Sequence, residues 1–259
     1  MTEFAPRSPA GHALLEGRTV LVTAAAGTGI GFATAKRCAE EGAVVVLSDR
    51  HERRLGEAAE QLEDVLGTRP AIAVCDVTDQ QQVDAMFATA ISTTGGLDVV
   101  VNNAGLGGTA HLVDMTDDEW AQVLDVTLNG TFRCTRAALQ HMLPRGVGVV
   151  VNNASVLGWR AQEGQAHYAA AKAGVMALTR CAAMEAAPDV RVNAVAPSLA
   201  VHEHLAKVMS QDAIDELVTR EAFGRSAEPW EVANVIVFLA SDYSAYMTGE
   251  VVSVSSQHP

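Results

Sequence analysis

Ser155, Tyr168 and Lys172 are side chains whose types and order in the chain could support proton transfer. Tyr168 and Lys172 occur in HYAAAK, one helical turn apart, so they share one face of a helix. A free phenol has a pKa of about 10. A nearby ammonium favours the phenolate, so Lys172 is expected to move the pKa of Tyr168 towards neutral pH. The three residues predict general acid–base chemistry, although a Tyr–Lys pair at this spacing is also common on exposed helix faces.

A glycine-rich turn near the N-terminus could bind phosphate. The segment TAAAGTGIG, Thr23 to Gly31, follows an apolar strand and precedes a helix. There, backbone N–H groups and the positive end of the helix can hold a pyrophosphate, and glycine lets the backbone approach it closely. A tight strand-to-helix turn also favours glycine for structural reasons alone. The candidate contacts are Thr23, Ala25, Gly27, Thr28, Gly29 and Ile30.

Asp49 lies at the position that distinguishes NAD from NADP in dinucleotide-binding folds. It follows the apolar run VVVLS, about twenty residues after the glycine-rich turn. A carboxylate there can accept hydrogen bonds from the adenosine ribose and repel a 2′-phosphate, which favours NAD over NADP. Arg50 could instead pair with that phosphate, so NADP stays possible. The alternative for Asp49 is a solvated turn residue.

Further polar and small residues follow other predicted strands. The carboxyl ends of parallel strands meet at one edge of a sheet, which is where open α/β sheets bind ligands. Each segment alone would be a common turn signal. Together they are expected to line one rim of a cofactor site. Its members are Cys75, Asp76 and Val77, then Asn103, Ala104 and Gly105 of NNAG, and finally Pro197 and Leu199.

Alternating strand and helix patterns position these residues. Continuous apolar runs predict strands buried on both faces, and three periodic segments that end at Gly42, Gly67 and before Pro188 predict helices. We therefore expect a Rossmann-like, doubly wound α/β fold, with about seven parallel strands and helices on both faces. The predicted strands are Thr19–Thr23, Val44–Ser48, Ala71–Cys75, Leu97–Asn102, Val147–Asn152, Val190–Ala196 and Val251–Val254, and the helices Ile30–Glu41, Arg53–Leu66 and Tyr168–Ala186.

The whole fold is predicted as one domain. Residues 13–259 form the catalytic domain with an integral NAD(P)-binding fold, because no linker or low-complexity stretch interrupts the series. Residues 1–12 contain Pro6, Pro9 and Gly11 and are predicted to be a flexible arm, which could also dock on a neighbouring subunit.

Composition excludes several classes of function. The net charge is −13, from 18 basic and 31 acidic residues, which opposes nucleic-acid binding. Neither a membrane-spanning run nor a signal peptide is evident, so a cytoplasmic protein is expected. The four cysteines are widely separated and are predicted to be buried free thiols. No metal site is expected, since His202 and His204 lack a convincing third ligand.

The order of the motifs resembles the short-chain dehydrogenase/reductase family from Gly17 to the C-terminus. The glycine-rich turn, Asp49, Asp76, NNAG, Ser155, YxxxK and TGE occur in family order. The resemblance implies an NAD(P)-dependent oxidoreductase that interconverts a secondary alcohol and a ketone, and a homotetramer built on paired long helices. Ser155 would then hydrogen-bond the substrate oxygen, Tyr168 would exchange its proton, and Lys172 would also hold the nicotinamide ribose.

A closer resemblance suggests the substrate. NNASVLGWRAQ, HYAAAKAGVMALTR, EAFGR and AEPWEVA are similar to an actinobacterial subgroup named 3-oxoacyl-ACP reductases, some of which act on CoA thioesters of steroid-ring fragments. This implies a bulky acyl-CoA of the hydroxy-indane type. The alternatives are reduction of a 3-oxoacyl-[acyl-carrier-protein] with NADPH and, in a different class, a non-catalytic dinucleotide-binding sensor or scaffold. Candidate substrate-lining residues are Trp159, Arg160, Gln162 and His202. Arg220 and Arg225 could meet CoA phosphates or form surface salt bridges.

The chain departs from the family pattern at sites that matter for chemistry. Ala24 replaces the first glycine of the TGxxxGxG turn. Thr127 of TLNG replaces the fourth catalytic residue, an asparagine, so either its hydroxyl holds the relay water or the proton relay differs. Asn129 lies on another side of the helix and is not a simple substitute. Pro197-Ser198 replaces the usual PG, which predicts an atypical substrate lid.

Overall fold

A parallel sheet of seven strands forms the centre of the molecule. The computed structural model describes residues 8–201 and 210–257, and the strand order is β3-β2-β1-β4-β5-β6-β7. The doubly wound α/β prediction is confirmed, and each predicted strand agrees with an observed one to within two residues at either end. The strands are β1 Thr19–Val22, β2 Val44–Asp49, β3 Ala71–Val74, β4 Val99–Asn102, β5 Gly148–Asn153, β6 Val190–Pro197 and β7 Val251–Val254.

Helices cover both faces of the sheet. In the described part of the chain they are α1 Ile30–Glu40, α2 Glu52–Leu66, α3 Gln80–Thr94, α4 Asp117–Leu124, α5 Gly130–Met142, α6 Ala166–Ala186, α7 Gln211–Val218 and α8 Pro229–Ala240. Helices α1, α2 and α8 pack on one face, and α3, α5 and α6 on the other. The three helices predicted from the sequence are present, with ends that differ by one or two residues.

Alternate residues of the central strands pack into two separate hydrophobic cores, one on each face of the sheet. Val20 and Val22 of β1 pack into the core beneath α1 and α8, whereas Leu21 packs into the core beneath α3 and α5. All three side chains are fully buried. Since neither face meets water, the strands carry continuous apolar runs instead of an alternating pattern. The sheet is therefore a rigid platform for the loops at its carboxyl edge.

The start of the described chain is attached to the end of α1. The backbone N–H of His12 donates to Glu41 Oε2 at 2.7 Å, and Arg37 Nη2 donates to the Ala10 carbonyl at 3.4 Å. Glu41 is fully buried and pairs with Arg37 at 2.5 Å. Residues 1–7 of the predicted arm lie outside the described residues.

The cysteine prediction holds for three positions and is wrong for one. Cys38, Cys75 and Cys134 are buried, whereas Cys181 is exposed, and all four are free. Cys181 lies on α6 between Arg180 and Ala182, on the side of that helix turned away from the sheet. Across the described residues, no helix has the length and apolar character needed to cross a membrane.

Candidate active site

A large cleft lies along the carboxyl ends of the strands. The strand order reverses between β1 and β4, and loops that leave an open sheet in opposite directions create a crevice at such a point. The cleft has a volume of about 1270 Å³. Most of the predicted site residues line it, namely Thr23, Gly27, Thr28, Gly29, Ile30, Asp49, Arg50, Cys75, Asp76, Val77, Asn103, Ala104, Gly105, Ser155, Arg160, Gln162, Tyr168, Lys172, Pro197 and Leu199.

The glycine-rich turn has two residues with positive φ, and one of them is Ala24. Ala24 adopts a left-handed backbone conformation, with φ at +50°, and Gly27 has φ at +105°. Glycine reaches this region freely, whereas alanine does so only at a cost. The Asn103 side chain stabilises the turn, since its Nδ2 donates to the carbonyls of Thr23 and Ala24, both at 3.2 Å. Long-range hydrogen bonds therefore fix the turn where the local sequence is less favourable.

Asp49 lies at the end of β2 with its carboxylate partly occupied. Oδ1 accepts from the His51 N–H at 2.9 Å, and Oδ2 accepts from the Ala26 N–H at 3.4 Å. Burial raises the pKa of Asp49, and the nearby Arg54 and Arg50 act in the opposite direction. The carboxylate thus lines the cleft, and so do three cations, Arg50, Arg53 and Arg54.

Ser155, Tyr168 and Lys172 meet at the inner end of the cleft. Ser155 is hydrogen-bonded to Tyr168. Lys172 Nζ lies 5.5 Å from the centre of the Tyr168 ring and donates to the Asn153 carbonyl at 2.5 Å. Lys172 is buried, with 3% of its surface exposed. Helix α6 thus carries both the phenol and the ammonium, and β5 delivers Ser155 beside them.

The pKa values differ from the simple expectation that Lys172 acidifies Tyr168. Burial of its hydroxyl raises the pKa of Tyr168 to about 12, and the hydrogen bond with Ser155 only partly opposes this. Burial lowers the pKa of Lys172 to about 8. The reason is that both groups lose solvation, which disfavours the charged form of each. Without ligand, the phenol is neutral at pH 7 and Lys172 is close to its titration range.

Thr127 is buried beside this group and does not line the cleft. Its hydroxyl donates to the Leu106 carbonyl at 3.1 Å and accepts from the Leu106 N–H at 3.0 Å. A hydroxyl has a single proton to donate, so that proton is already used. Thr127 therefore holds the loop that follows β4, next to Lys172. Asn129 is exposed, and its side chain donates to Asp125 Oδ1 at 3.0 Å.

Several predicted residues lie away from the cleft. Ala25 is fully buried beneath the turn, where its N–H donates to Ser48. Trp159 is half-exposed outside the cleft, after a 3-10 turn at Val156–Gly158. Arg225 pairs with Glu231 through both terminal nitrogens, so the salt-bridge alternative applies to it. His202 and His204 lie outside the described residues.

Gln165 is a cleft residue that was not predicted from the sequence, and it fixes the glycine-containing segment next to Tyr168. Gln165 Nε2 donates to the Gly108 carbonyl at 2.7 Å and to Thr109 Oγ1 at 3.1 Å. His167 is buried, and a Cβ added at Gly108 would lie 3.2 Å from its Nε2. The adjacent glycines Gly107 and Gly108 were a signal that the backbone passes close to other atoms. Among the described residues, no cluster of three or more His, Cys, Asp or Glu could bind a metal.

The chain is similar over nearly its full length to characterised oxidoreductases. It is 62% identical to the (5R,7aS)-5-hydroxy-7a-methyl-1-oxo-2,3,5,6,7,7a-hexahydro-1H-indene-carboxyl-CoA reductase of Mycobacterium tuberculosis, over 98% of each chain. It is 38% identical to the 3-oxoacyl-[acyl-carrier-protein] reductase FabG of Thermotoga maritima, over 93% of this chain and 97% of that protein.

Solved structures and a family model agree with this similarity. A short chain dehydrogenase from Mycobacterium smegmatis has a TM-score of 0.87 and 59% identity over 98% of both chains. Levodione reductase has a TM-score of 0.90 and 33% identity, over 93% of this chain and 97% of that one. The family model described as Enoyl-(Acyl carrier protein) reductase matches residues 24–256. The chain belongs to the short-chain dehydrogenase/reductase family of oxidoreductases.

Proposed function

We propose that this enzyme interconverts a secondary alcohol and a ketone on a steroid-derived bicyclic acyl-CoA of the hydroxy-indane type, with NAD(P) as cofactor. The observation that carries the proposal is the 62% identity, over 98% of both chains, to a reductase named for such a substrate. A cleft of about 1270 Å³ has room for a dinucleotide and a bulky substrate together.

The residues of the cleft fit a dinucleotide. Among the described residues, and apart from the chain neighbours of Gly27, no atom lies within 4 Å of the position that a Cβ would take there, which leaves that surface open to a ligand. Helix α1 begins without a side-chain cap, so the N–H groups of its first turn are available to a pyrophosphate. Asn153 Oδ1 is buried without a hydrogen-bond partner among the described residues. The bound cofactor would supply or accept the hydride.

Ser155, Tyr168 and Lys172 are proposed to act on the substrate oxygen. In ketone reduction, Ser155 Oγ donates a hydrogen bond to that oxygen and Tyr168 donates its phenolic proton to it. In alcohol oxidation, the hydroxyl proton returns to Tyr168. Lys172 stabilises the phenolate between these steps, and its low pKa allows it to exchange a proton itself. Thr127 positions the Gly105–Leu106 loop, because its own proton is used on Leu106.

NAD is the proposed preference. The Asp49 carboxylate lines the cleft at the end of β2, where it can accept from ribose hydroxyls and repel a 2′-phosphate. Arg50, Arg53 and Arg54 lie nearby and reduce that repulsion. The enzyme is therefore expected to accept NADP as well, at lower efficiency.

The proposal is tested by steady-state kinetics with the purified enzyme. NAD(H) and NADP(H) are each combined with the bicyclic hydroxyacyl-CoA or ketoacyl-CoA, and the absorbance of the reduced cofactor is followed. We expect turnover that the Tyr168→Phe variant reduces by a factor of about 10² to 10⁴, because a positioned general acid contributes that much. Cofactor affinity, measured separately, should change little in this variant.

Two alternative functions predict different outcomes. Reduction of 3-oxoacyl carrier proteins with NADPH is favoured by the 38% identity to FabG. Strong activity with those substrates and none with the bicyclic thioesters would replace the proposal. A non-catalytic sensor or scaffold would bind dinucleotide with no turnover of either substrate, and Tyr168→Phe would then change nothing measurable.

We also propose a cytoplasmic homotetramer. Trp120 on α4, Phe132 on α5 and Met184 on α6 are large apolar side chains exposed on helices, which supports pairing of these helices with another copy. Free thiols at all four cysteines support a reducing compartment. Multi-angle light scattering at several concentrations measures the assembly, and a monomer at all of them would contradict it.

A further inference from the structure

Arg160 lines the cleft, and its guanidinium is bound to a neutral side chain. Lys172 donates to the Asn153 carbonyl, and Arg220 pairs with Glu216 at 2.9 Å. Arg160 Nη1 donates to the neutral side-chain oxygen of Gln257 at 2.5 Å. Within residues 8–201 and 210–257, no carboxylate pairs with its guanidinium. A guanidinium has five N–H donors, so this one has capacity left for a ligand.

The Arg160 side chain is held in place by a hydrogen-bonded network. Gln257 Nε2 donates to Glu221 Oε1 at 2.9 Å, and Ser256 Oγ donates to Glu221 Oε2 at 2.7 Å. Glu221 is buried, and although burial alone raises its pKa, hydrogen bonds led by that from Ser256 bring the pKa below its usual value. An ionised Glu221 thus fixes the C-terminal segment, and that segment fixes Arg160.

The backbone also places Arg160 close to the reacting centre. The Arg160 N–H donates to the Val156 carbonyl at 3.0 Å, so a compact turn links Arg160 to Ser155. Ser155 and Tyr168 define where the substrate oxygen lies. The whole pantetheine arm of a CoA thioester separates its acyl part from its phosphates, so a cation in the turn that follows Ser155 is nearer to the acyl part than to the phosphates.

We propose that Arg160 is a specificity-determining residue that hydrogen-bonds the thioester carbonyl oxygen of the acyl substrate. The inference rests on the proposed function only in requiring a thioester, which the bicyclic acyl-CoA and the 3-oxoacyl alternative share. Gln257 and Glu221 are positioning residues, since they act through Arg160. The same alcohol without its acyl group has no thioester carbonyl, so Arg160 should not contribute to its binding.

The test compares three substrates in the wild type and in Arg160→Met. They are the bicyclic CoA thioester, the N-acetylcysteamine thioester of the same acyl group, and the same bicyclic alcohol without the acyl group. We expect kcat/KM to fall about 10-fold to 100-fold for both thioesters, as for a lost hydrogen bond to a charged group, and less than about 3-fold for the alcohol. Gln257→Leu should show a smaller loss with the same selectivity.

Controls separate recognition from damage to the fold. Arg69→Met removes an exposed arginine outside the cleft and should leave all three values unchanged. Melting temperature and NADH affinity of Arg160→Met should match those of the wild type. Equal losses on all three substrates would overturn the inference, and so would a loss confined to the CoA thioester, which would indicate phosphate binding.

Failure of the proposed function has a different signature. If the wild type turns over no bicyclic thioester, the proposed function fails before any variant is compared. The Arg160 measurement is then repeated with the N-acetylcysteamine thioester of a 3-oxoacyl group. A selective loss there supports Arg160 as a thioester ligand, and an unchanged kcat/KM overturns it.

Discussion

At Gly31, the addition of a single methyl group should disturb the glycine-rich turn of the cleft. A Cβ at Gly31 would overlap the Ala24 carbonyl oxygen and lie 2.9 Å from the Ala24 carbonyl carbon and 2.5 Å from Asn103 Nδ2. These atoms belong to the turn and to the side chain that fixes it, so they cannot move independently. We predict that Gly31→Ala displaces the turn between β1 and α1.

The expected size of this effect follows from the overlap. Introducing a methyl group into filled space costs about 1–3 kcal/mol. In a domain of this size each kcal/mol lowers the melting temperature by about 2–4 °C, so calorimetry should record a fall of about 2–12 °C. Because the displaced turn is the candidate pyrophosphate site, NADH affinity measured by fluorescence titration should weaken at least about tenfold, or 1.4 kcal/mol.

Gly56 provides the matched control. It also lies within a helix, but apart from its chain neighbours and the backbone of that helix, no atom of the described residues lies within 4 Å of its ideal Cβ position. Gly56→Ala should therefore stabilise the enzyme by about 0.5–1 kcal/mol through helix propensity and leave NADH affinity unchanged. A Gly31→Ala variant with the wild-type melting temperature and affinity would contradict the predicted overlap, and so would a change of both variants in the same direction.

Three further predictions follow from the site. Lys172→Met should stabilise the ligand-free enzyme at pH 7 by about 1–3 kcal/mol, because burial lowers the pKa of Lys172 to about 8 and folding opposes the ammonium. The free energy of unfolding of the wild type should rise between pH 8 and 10.5, so its difference from that of Lys172→Met should become smaller in urea melts over this range. A difference that stays constant with pH would contradict burial of the ammonium as its origin. Asp49→Ser should raise kcat/KM for NADP relative to NAD at least about tenfold, through loss of charge repulsion beside Arg50, and an unchanged ratio would argue against Asp49 as the selector. Ala24→Gly should raise the melting temperature by about 1–4 °C, since glycine adopts a φ of +50° without strain, and a lower melting temperature would show that the turn is not strained.

Residues that follow strands could be predicted because the sheet geometry is regular. Parallel strands end at a common edge, so Asp49, Asp76 and Asn103 were expected to share one rim although they are distant in sequence. Tyr168 and Lys172 were expected on one helix face from their spacing alone. The strands could be predicted from continuous apolar runs, because a strand covered on both faces has no polar side.

Contacts between distant segments could not be predicted in this way. Gln257 contacts Arg160 although the two residues are 97 positions apart, and the sequence carries no signal for that contact. The role of Thr127 depended on where the Leu106 backbone passes, which residue type does not reveal. Trp159 was expected in the cleft from its nearness to Ser155, but a 3-10 turn lies between them.

The carboxamide of Asn103 joins the two halves of the cleft into one mechanical unit. Its Nδ2 holds the glycine-rich turn, its Oδ1 accepts from Asn153 Nδ2 at 2.9 Å, and the Asn153 carbonyl accepts from Lys172. The ends of three strands are thus connected to Lys172 by side-chain hydrogen bonds. For enzyme engineering this means that Asp49, which within the described residues has no hydrogen bond to this chain of side chains, is the better position for a change of cofactor preference under the proposed function, since a change at Asn103 would also disturb Lys172.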